Sequence, residues 1–255
     1  MKNLFSNLNI KEGDILLVSS DILKLMVHNR NLEDKIDINS LIDMLKEMVS
    51  TKGTLLFPTF NWDYCRGKVF DYKKTKSECG ALSNLALDRK DFARTKNPIY
   101  SFAATGKDKE YLCEMPHTDC YSFDSPFGYL LNNKAKNLFI NLHYRLGGYP
   151  FVHVLEQELN LSHRFKKDFS GYCIDKFGKK EQKTFSLFVR KIEKGIGETF
   201  IREEFDEILI KNKAITNCSI LENIVESSLL DLNLSYKLLK DEYSRNRKII
   251  YSAKI

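Results

Sequence analysis

The most constraining feature of the sequence is a strand–helix–strand order within residues 13–58. Residues 13–20 (GDILLVSS) form a run rich in leucine and β-branched residues after a Gly-Asp turn, which predicts a buried strand. Apolar residues recur with helical spacing over 38–49, and residues 54–58 (TLLFP) predict the next strand. A crossover of this length predicts a parallel pair of strands with a right-handed connection, and therefore an α/β fold.

The rest of the chain continues this alternation. Further strands are predicted at 99–105, 137–143 and 248–251, and helices at 80–87, 107–113, 126–131, 151–162, 199–211, 220–232 and 235–242. Residues 171–192 enclose a Phe-Gly-Lys-Lys turn between strand-like runs, which predicts a β-hairpin excursion. We therefore expect residues 1–255 to form a single α/β domain with a central, mostly parallel or mixed sheet flanked by helices.

The charge of the chain is compatible with an anionic ligand. The formal net charge is +6 and the sequence pI is about 8.8. This excess does not require nucleic acid, and a lysine-rich proteome explains it equally well. The first residues lack the apolar core of a signal peptide, and no apolar run is long enough to span a membrane. We expect a cytoplasmic protein with no nucleic-acid partner and no membrane attachment.

Missing motifs exclude several classes of site. The six cysteines are scattered and form no CxxC pair, which predicts free, reduced thiols and no structural zinc. The chain has no GxGxxG after a strand, no GxxxxGK[ST] and no GxSxG. These absences argue against a nicotinamide Rossmann site, a P-loop NTPase and an α/β-hydrolase, respectively.

A histidine and a glutamate stand three residues apart at the start of the helix predicted after the 137–143 strand. On a helix, His153 and Glu156 share one face and come within reach of each other. A histidine oriented by a carboxylate is a common general base. Both could also ligate a metal, but no third ligand stands at a suggestive spacing, so we expect no metal.

Polar and aromatic side chains follow the first two predicted strands, at the edge where open α/β sheets bind ligands. They are Ser19, Ser20, Asp21, Thr59, Asn61 and Trp62. Two structural alternatives stay open. Ser19, Ser20 and Asp21 could instead cap the next helix. The Trp62 indole could instead fill the core.

Six short motifs follow one another over most of the chain. They are GDILLV-SSD at 13–21, GTLLFPTFNW at 53–62, T-x-S-x-x-G-x-L at 75–82, R-T-x-x-P-x-x-S-F-A-A-x-G at 94–106, D-S-P-F-G at 124–128 and H-x-x-E at 153–156. Each is weak alone, but six in this order are specific. Together they resemble the aminoglycoside 3-N-acetyltransferase family, also called the antibiotic acetyltransferase fold.

The resemblance implies transfer of an acyl group from acetyl-CoA or another short acyl-CoA to a sugar amine, and it allows a homodimer. His153 matches the family's base and Glu156 its support. The wider set of candidates comprises Asp124 for catalysis, Ser19, Ser20, Asp21, Arg94, Thr95 and Ser125 for the cofactor, and Thr59, Asn61, Trp62 and Tyr72 for the acceptor. We expect direct attack by the amine in a ternary complex, with an oxyanion donor near Ser19, Ser20 or Ser125.

Details of two motifs resemble one branch of that family. The Ser-Ser-Asp loop at 19–21 and the FDY-x-K-T-x-S stretch at 70–77 resemble members that acylate nucleotide-linked amino sugars, such as dTDP sugars, for surface polysaccharides. Drug-modifying members usually carry histidine where Ser19 stands. We therefore expect a nucleotide-linked amino sugar as the acceptor. An aminoglycoside acceptor is the first alternative, and an inactive binding protein of the same fold is the second. Pro150 departs from the family, which usually has threonine there.

Overall fold

The structure, a computed structural model, describes residues 4–29, 37–220 and 225–254. Within these ranges the strands are β1 (Ile15–Ser20), β2 (Thr54–Pro58), β3 (Phe70–Asp71), β4 (Ala93–Arg94), β5 (Phe102–Gly106), β6 (Lys136–Ile140), β7 (Arg164–Ile174), β8 (Lys180–Arg190), β9 (Ile196–Ile201), β10 (Ile215–Ile220), β11 (Val225–Asp231) and β12 (Ile250–Lys254). The α-helices are α1 (Leu23–Asn29), α2 (Ile38–Val49), α3 (Ala81–Asp88), α4 (Lys109–Glu114), α5 (Pro126–Asn132), α6 (Phe151–Glu158), α7 (Glu204–Lys211) and α8 (Leu232–Arg245).

A mixed central sheet organises these elements. In the described part of the chain it has seven strands in the order β10-β11-β6-β1-β2-β5-β4. Strand β1 pairs parallel to both β2 and β6, whereas the remaining neighbours pair antiparallel. The predicted α/β class and mixed sheet are therefore confirmed. Within this sheet the parallel pairs join the three central strands, which crossover connections link along the chain.

Each face of the sheet is covered by its own layer of helices. Because side chains alternate along a strand, Leu16 and Val18 of β1 enter one apolar cluster and Leu17 enters the other. The first cluster includes side chains of α1, α2 and α3, and the second includes side chains of α5, α6 and α8. Ser19 follows Leu17 by two residues and so points to the face on which α6 lies.

The predicted hairpin is longer than expected. Strands β7 and β8 pair antiparallel from Arg164–Arg190 to Ile174–Lys180, so the first strand begins seven residues before the expected boundary at 171. Gly178 closes the turn with φ +89°, a conformation that favours glycine. Tyr64 anchors the hairpin, because its hydroxyl donates to the carbonyl oxygen of Lys183 at 2.6 Å. The ring of Tyr64 packs over Gly171.

The helices predicted near the C-terminal end were partly wrong. The segment predicted as a helix over 220–232 contains strand β11, paired antiparallel to β6; residues 221–224 lie outside the described part. Buried side chains at Val225, Ser227 and Leu229 alternate as a strand requires. The helix predicted from 199 begins only at Glu204, because residues up to Ile201 form β9 against β12. Sheet pairing at long range overrode the local helical pattern in both places.

Two further expectations concern the thiols and the membrane. All six cysteines lie in described residues, and none of them is paired in a disulfide. Among the helices of the described ranges, none is both long and apolar enough to cross a membrane.

Candidate active site

Helix α6 places His153 and Glu156 side by side. Pro150 precedes the helix with a φ of −65°, which suits its ring, and Phe151 and Leu155 anchor the helix in the core. His153 Nδ1 lies 2.6 Å from Glu156 Oε2, so the contact expected from their spacing is present. The imidazole is about one-fifth exposed (21%), whereas the carboxylate is fully buried (0%).

The carboxylate of Glu156 is held by four side chains. On Oε2 it meets His153 and, at 2.7 Å, Nε of Arg164. On Oε1 it accepts from His163 Nε2 at 2.7 Å and from Thr199 Oγ1 at 2.9 Å. Burial by itself would raise the pKa of Glu156, but the charges and hydrogen bonds of His153, His163 and Arg164 outweigh burial and hold that pKa well below its ordinary value. Glu156 is therefore ionised at neutral pH.

This ionised partner fixes the tautomer of His153. A carboxylate can only accept, so Nδ1 of His153 carries the proton and Nε2 keeps its lone pair. Burial lowers the pKa of His153, with help from Arg164 and Arg190, and Glu156 offsets only part of that effect. The imidazole is neutral near pH 7, as a general base must be.

His153 lines an open cavity of about 720 Å³. The cavity lies at the carboxyl ends of β1 and β2, where Ser19, Ser20 and Pro58 contribute to its wall. Strands β8 and β9 form the opposite side through residues such as Arg190 and Glu198. A base with a free lone pair thus faces a space large enough for a small substrate.

A series of aromatic rings leads from Trp62 to His153, and both of these residues line the cavity. Trp62 meets Tyr100 edge-on with 6.1 Å between ring centroids, Tyr100 lies 5.1 Å from Tyr121, and Tyr121 lies 5.4 Å from the His153 ring. Trp62 is only partly buried and packs against the core. The indole therefore packs against the core and also lines the cavity, and its contact with an acceptor stays a prediction.

A family model described as aminoglycoside 3-N-acetyltransferase matches residues 28–226, which is most of the chain. The chain belongs to the aminoglycoside 3-N-acetyltransferase family. Membership confirms the resemblance carried by the six motifs, and it makes the protein an acyl-CoA-dependent N-acyltransferase. No curated protein sequence gives a significant match.

Solved structures of this acetyltransferase fold superpose over nearly the whole chain. AAC-IIIb in a binary complex with CoASH matches with TM-score 0.74 and 15% identity, covering 96% of this chain and 94% of that one. Sisomicin-bound AAC-VIa matches with TM-score 0.74 and 17% identity, covering 96% of both chains. The YokD protein from Bacillus subtilis matches with TM-score 0.73 and 16% identity, covering 97% and 93%. At identities this low, the superpositions establish the shared fold alone.

Several residues predicted to bind ligand do not line this cavity. Arg94 is buried, and its guanidinium donates to Ser101 Oγ at 2.9 Å, to the Thr59 carbonyl at 3.0 Å and to the Thr75 carbonyl at 2.5 Å. The hydroxyl of Tyr72 accepts from the Arg94 backbone at 2.8 Å. Arg94 and Tyr72 together line a separate cavity of about 260 Å³.

Other predicted residues make local structural contacts. Thr59 Oγ1 bonds Ser101 Oγ at 2.9 Å, and Thr95 Oγ1 accepts from the Phe102 backbone at 2.9 Å. Asn61 donates to the Lys76 carbonyl at 3.0 Å. Thr59, Thr95 and Asn61 are all buried. None of the three lines the cavity, and their hydrogen bonds hold the neighbouring loops in place.

The remaining three candidates do not line the His153 cavity either. Asp21 accepts from the backbone of Leu23 at 3.0 Å, which is the capping role kept as its alternative. The buried Ser125 donates to the Ser122 carbonyl at 2.6 Å. Asp124 is exposed and is not among the residues of the cavity wall. Of the candidate oxyanion donors, only Ser19 and Ser20 are brought to the cavity.

Three residues that contact Glu156 were not predicted from the sequence. His163, Arg164 and Thr199 all contact Glu156 or its partners, yet the segment at 163–171 read only as a basic stretch. Thr199 lies on β9, a strand that the sequence pattern assigned to a helix. The one usable signal was His163 itself, seven residues beyond Glu156. Among the described residues, no group of three or more His, Cys, Asp or Glu side chains could hold a metal ion.

Proposed function

We propose that the protein transfers the acyl group of a short acyl-CoA to a primary amine of an amino sugar, with His153 as general base. The observation that carries this proposal is the His153 imidazole, held by a buried carboxylate at 2.6 Å in the wall of a cavity of about 720 Å³. The nitrogen of an amine must give up a proton as it bonds to the thioester carbon, and Nε2 of His153, a residue of the cavity wall, is our candidate acceptor. A binding protein without catalysis would need no such pair.

In the proposed step the amine nitrogen bonds to the thioester carbonyl carbon while its proton moves to Nε2 of His153. Glu156 stabilises the resulting imidazolium. When the carbon–sulfur bond breaks, His153 returns the proton to the departing thiolate. The hydroxyl of Ser19 or Ser20 is our candidate donor to the oxyanion, because both serines lie in the cavity wall. No covalent acyl-enzyme is required.

For the acceptor, an aminoglycoside is our first candidate. The description of the family and the sisomicin bound to AAC-VIa support this choice. Glu78 and Glu198 line the cavity and offer carboxylates to a polycationic amino sugar. Glu78 is paired with Arg66 at 3.2 Å, which leaves Glu198 as the more available partner.

A nucleotide-linked amino sugar is the second candidate. Its diphosphate would need cationic partners, and Arg145 and Arg190 both line the cavity. Arg145 is already paired with Asp206 at 2.8 Å. Arg190 is therefore the residue that this candidate depends on most, just as the aminoglycoside candidate depends on Glu198.

The test is release of free thiol from acetyl-CoA with a panel of aminoglycosides and nucleotide-linked amino sugars. We expect acceptor-dependent release with an aminoglycoside, and a decrease of kcat by about a hundredfold or more in His153→Ala. In Glu198→Gln the KM for an aminoglycoside should rise, whereas in Arg190→Gln it should not. Release with nucleotide-linked sugars alone would reverse the order of the candidates. Absence of release with every acceptor would refute the proposed activity.

A further inference from the structure

Glu156 is flanked by two histidines rather than one. His153 Nδ1 approaches Oε2 at 2.6 Å, and His163 Nε2 approaches Oε1 at 2.7 Å. The His163 side chain is about one-fifth exposed (22%), whereas Glu156 is fully buried. His163 therefore lies between the buried carboxylate and the protein surface.

The backbone fixes His163 in this position. Helix α6 ends after Glu158, and Asn160 turns the chain with φ +47°. The Leu161 amide donates to the Glu156 carbonyl at 2.9 Å, and the His163 carbonyl accepts from the Lys191 amide at 3.1 Å. The chain thus folds back over its own helix end, and the residue after β8 holds it beside the carboxylate. Such a constrained approach points to a defined role for the imidazole.

The chemistry of the contact has a direct consequence for the base. Since Glu156 is ionised, His163 Nε2 carries a proton and donates it to Oε1. A donor on Oε1 draws negative charge away from Oε2, the oxygen that holds His153. Other polar and charged groups that face this site are Arg164 from β7, Arg190 from β8, and Thr199 and Glu198 from β9. Among them, Thr199 donates to the same oxygen, Oε1, as His163 does. Thr199 therefore offsets part of the negative charge of the carboxylate even without His163.

We propose that His163 is a positioning residue that acts through Glu156 to keep His153 a neutral, moderately weak base near pH 7. The inference rests on the proposed role of His153 as general base. Removing the His163 donor leaves more negative charge on Glu156, which stabilises the protonated form of His153. The pKa of His153 then rises, and a larger fraction of the enzyme at neutral pH carries a base that is already protonated.

The test compares His163→Phe with His163→Gln. Phenylalanine keeps the ring volume without a donor, whereas the glutamine amide can place an N–H near the position of Nε2. We expect the acidic limb of the pH profile of kcat/KM to move to higher pH in His163→Phe, by roughly 0.5 to 1 pH unit. In His163→Gln the limb should return towards the wild-type position. His117→Phe, which changes a buried histidine bonded to the Met115 carbonyl, is the matched control and should leave the limb unchanged.

A second readout makes the test independent of the acceptor. NMR titration of the His153 ring in the free protein should show the same upward shift of its pKa in His163→Phe. If the ring titrates identically in the wild-type protein and in His163→Phe, or if His163→Gln shifts as far as His163→Phe, the inference is wrong. Failure of the acyl-transfer assay with all acceptors would refute the proposed function while leaving this titration interpretable.

Discussion

Arg94 shows how a residue in a family motif can serve the fold. Its guanidinium joins the loop after β2, the loop after β3 and the start of β5 through three hydrogen bonds, and it lies 4.7 Å from the centroid of the Phe70 ring. Burial lowers its pKa to about 10. The planar fork satisfies acceptors that a lysine ammonium would reach less well.

We therefore predict that Arg94→Lys lowers the free energy of unfolding by about 1.5–3 kcal/mol, the scale of hydrogen bonds to a charged group. Urea unfolding measures this change. The KM for acetyl-CoA should stay near the wild-type value, since Arg94 lies away from the His153 cavity. The matched control is Lys96→Arg, at an exposed side chain paired with Glu114. A large rise in the KM for acetyl-CoA without loss of stability would instead support the phosphate-binding role inferred from the motif.

At the scale of elements, the D-S-P-F-G motif at 124–128 explains how closely α5 packs against the turn that precedes it. Gly128 lies on the buried side of that helix, against the backbone of the turn that precedes it. A Cβ atom added there would stand 2.1 Å from the Phe123 carbonyl oxygen. Because the obstacle is backbone, no side-chain rotation can relieve the clash. The motif thus encodes a close approach of helix and turn.

Accordingly, Gly128→Ala should destabilise the protein by about 3 kcal/mol or more, through overpacking that the backbone must absorb. A fall in the thermal midpoint by calorimetry checks this expectation. Asn132→Ala is the control, because Asn132 is exposed on the same helix and alanine is the better helix former. Equal thermal midpoints for Gly128→Ala and the wild type would contradict the close approach.

At the scale of the whole molecule, Glu156 ties together segments that are distant in sequence. It joins α6 to Arg164 on β7 and to Thr199 on β9, and Arg164 in turn donates to the Phe188 carbonyl on β8. The Glu156 carboxylate is therefore a structural centre, whatever its part in the proposed reaction. Its removal leaves a buried guanidinium without its carboxylate partner.

We predict that Glu156→Gln loses about 3–5 kcal/mol of stability at pH 7, the range for breaking a buried ion pair, in addition to its loss of activity. Chemical denaturation followed by circular dichroism gives the value. Glu158→Gln, two residues on, removes a carboxylate that is paired with Lys240 and accepts from the Tyr236 hydroxyl at 2.7 Å. Since the glutamine oxygen can still accept from Tyr236, this change should cost less than about 1 kcal/mol. If the two variants prove equally stable, the ion-pair network contributes little to folding.

Local patterns were enough to predict the parts of the fold that depend on neighbours in sequence. The strand–helix–strand unit at 13–58 is one such part. A buried apolar run, an amphipathic helix and a second buried run can be arranged in few ways, and the parallel pairing of β1 and β2 follows. The pairing of His153 with Glu156 is local too, since helix geometry brings residues three apart together. Motif order was sufficient for the family.

Tertiary structure alone decided the rest. Residues 225–231 became a strand because the exposed edge of β6 offered hydrogen bonds that no local propensity records. His163, Arg164 and Thr199 reached Glu156 only through the folding of β7 and β9 around α6. The sequence by itself determined that His153 and Glu156 form a pair, and it made His153 the candidate base. The packing of distant segments determined how basic that imidazole is, because desolvation and charge at a site depend on every group that surrounds it in space.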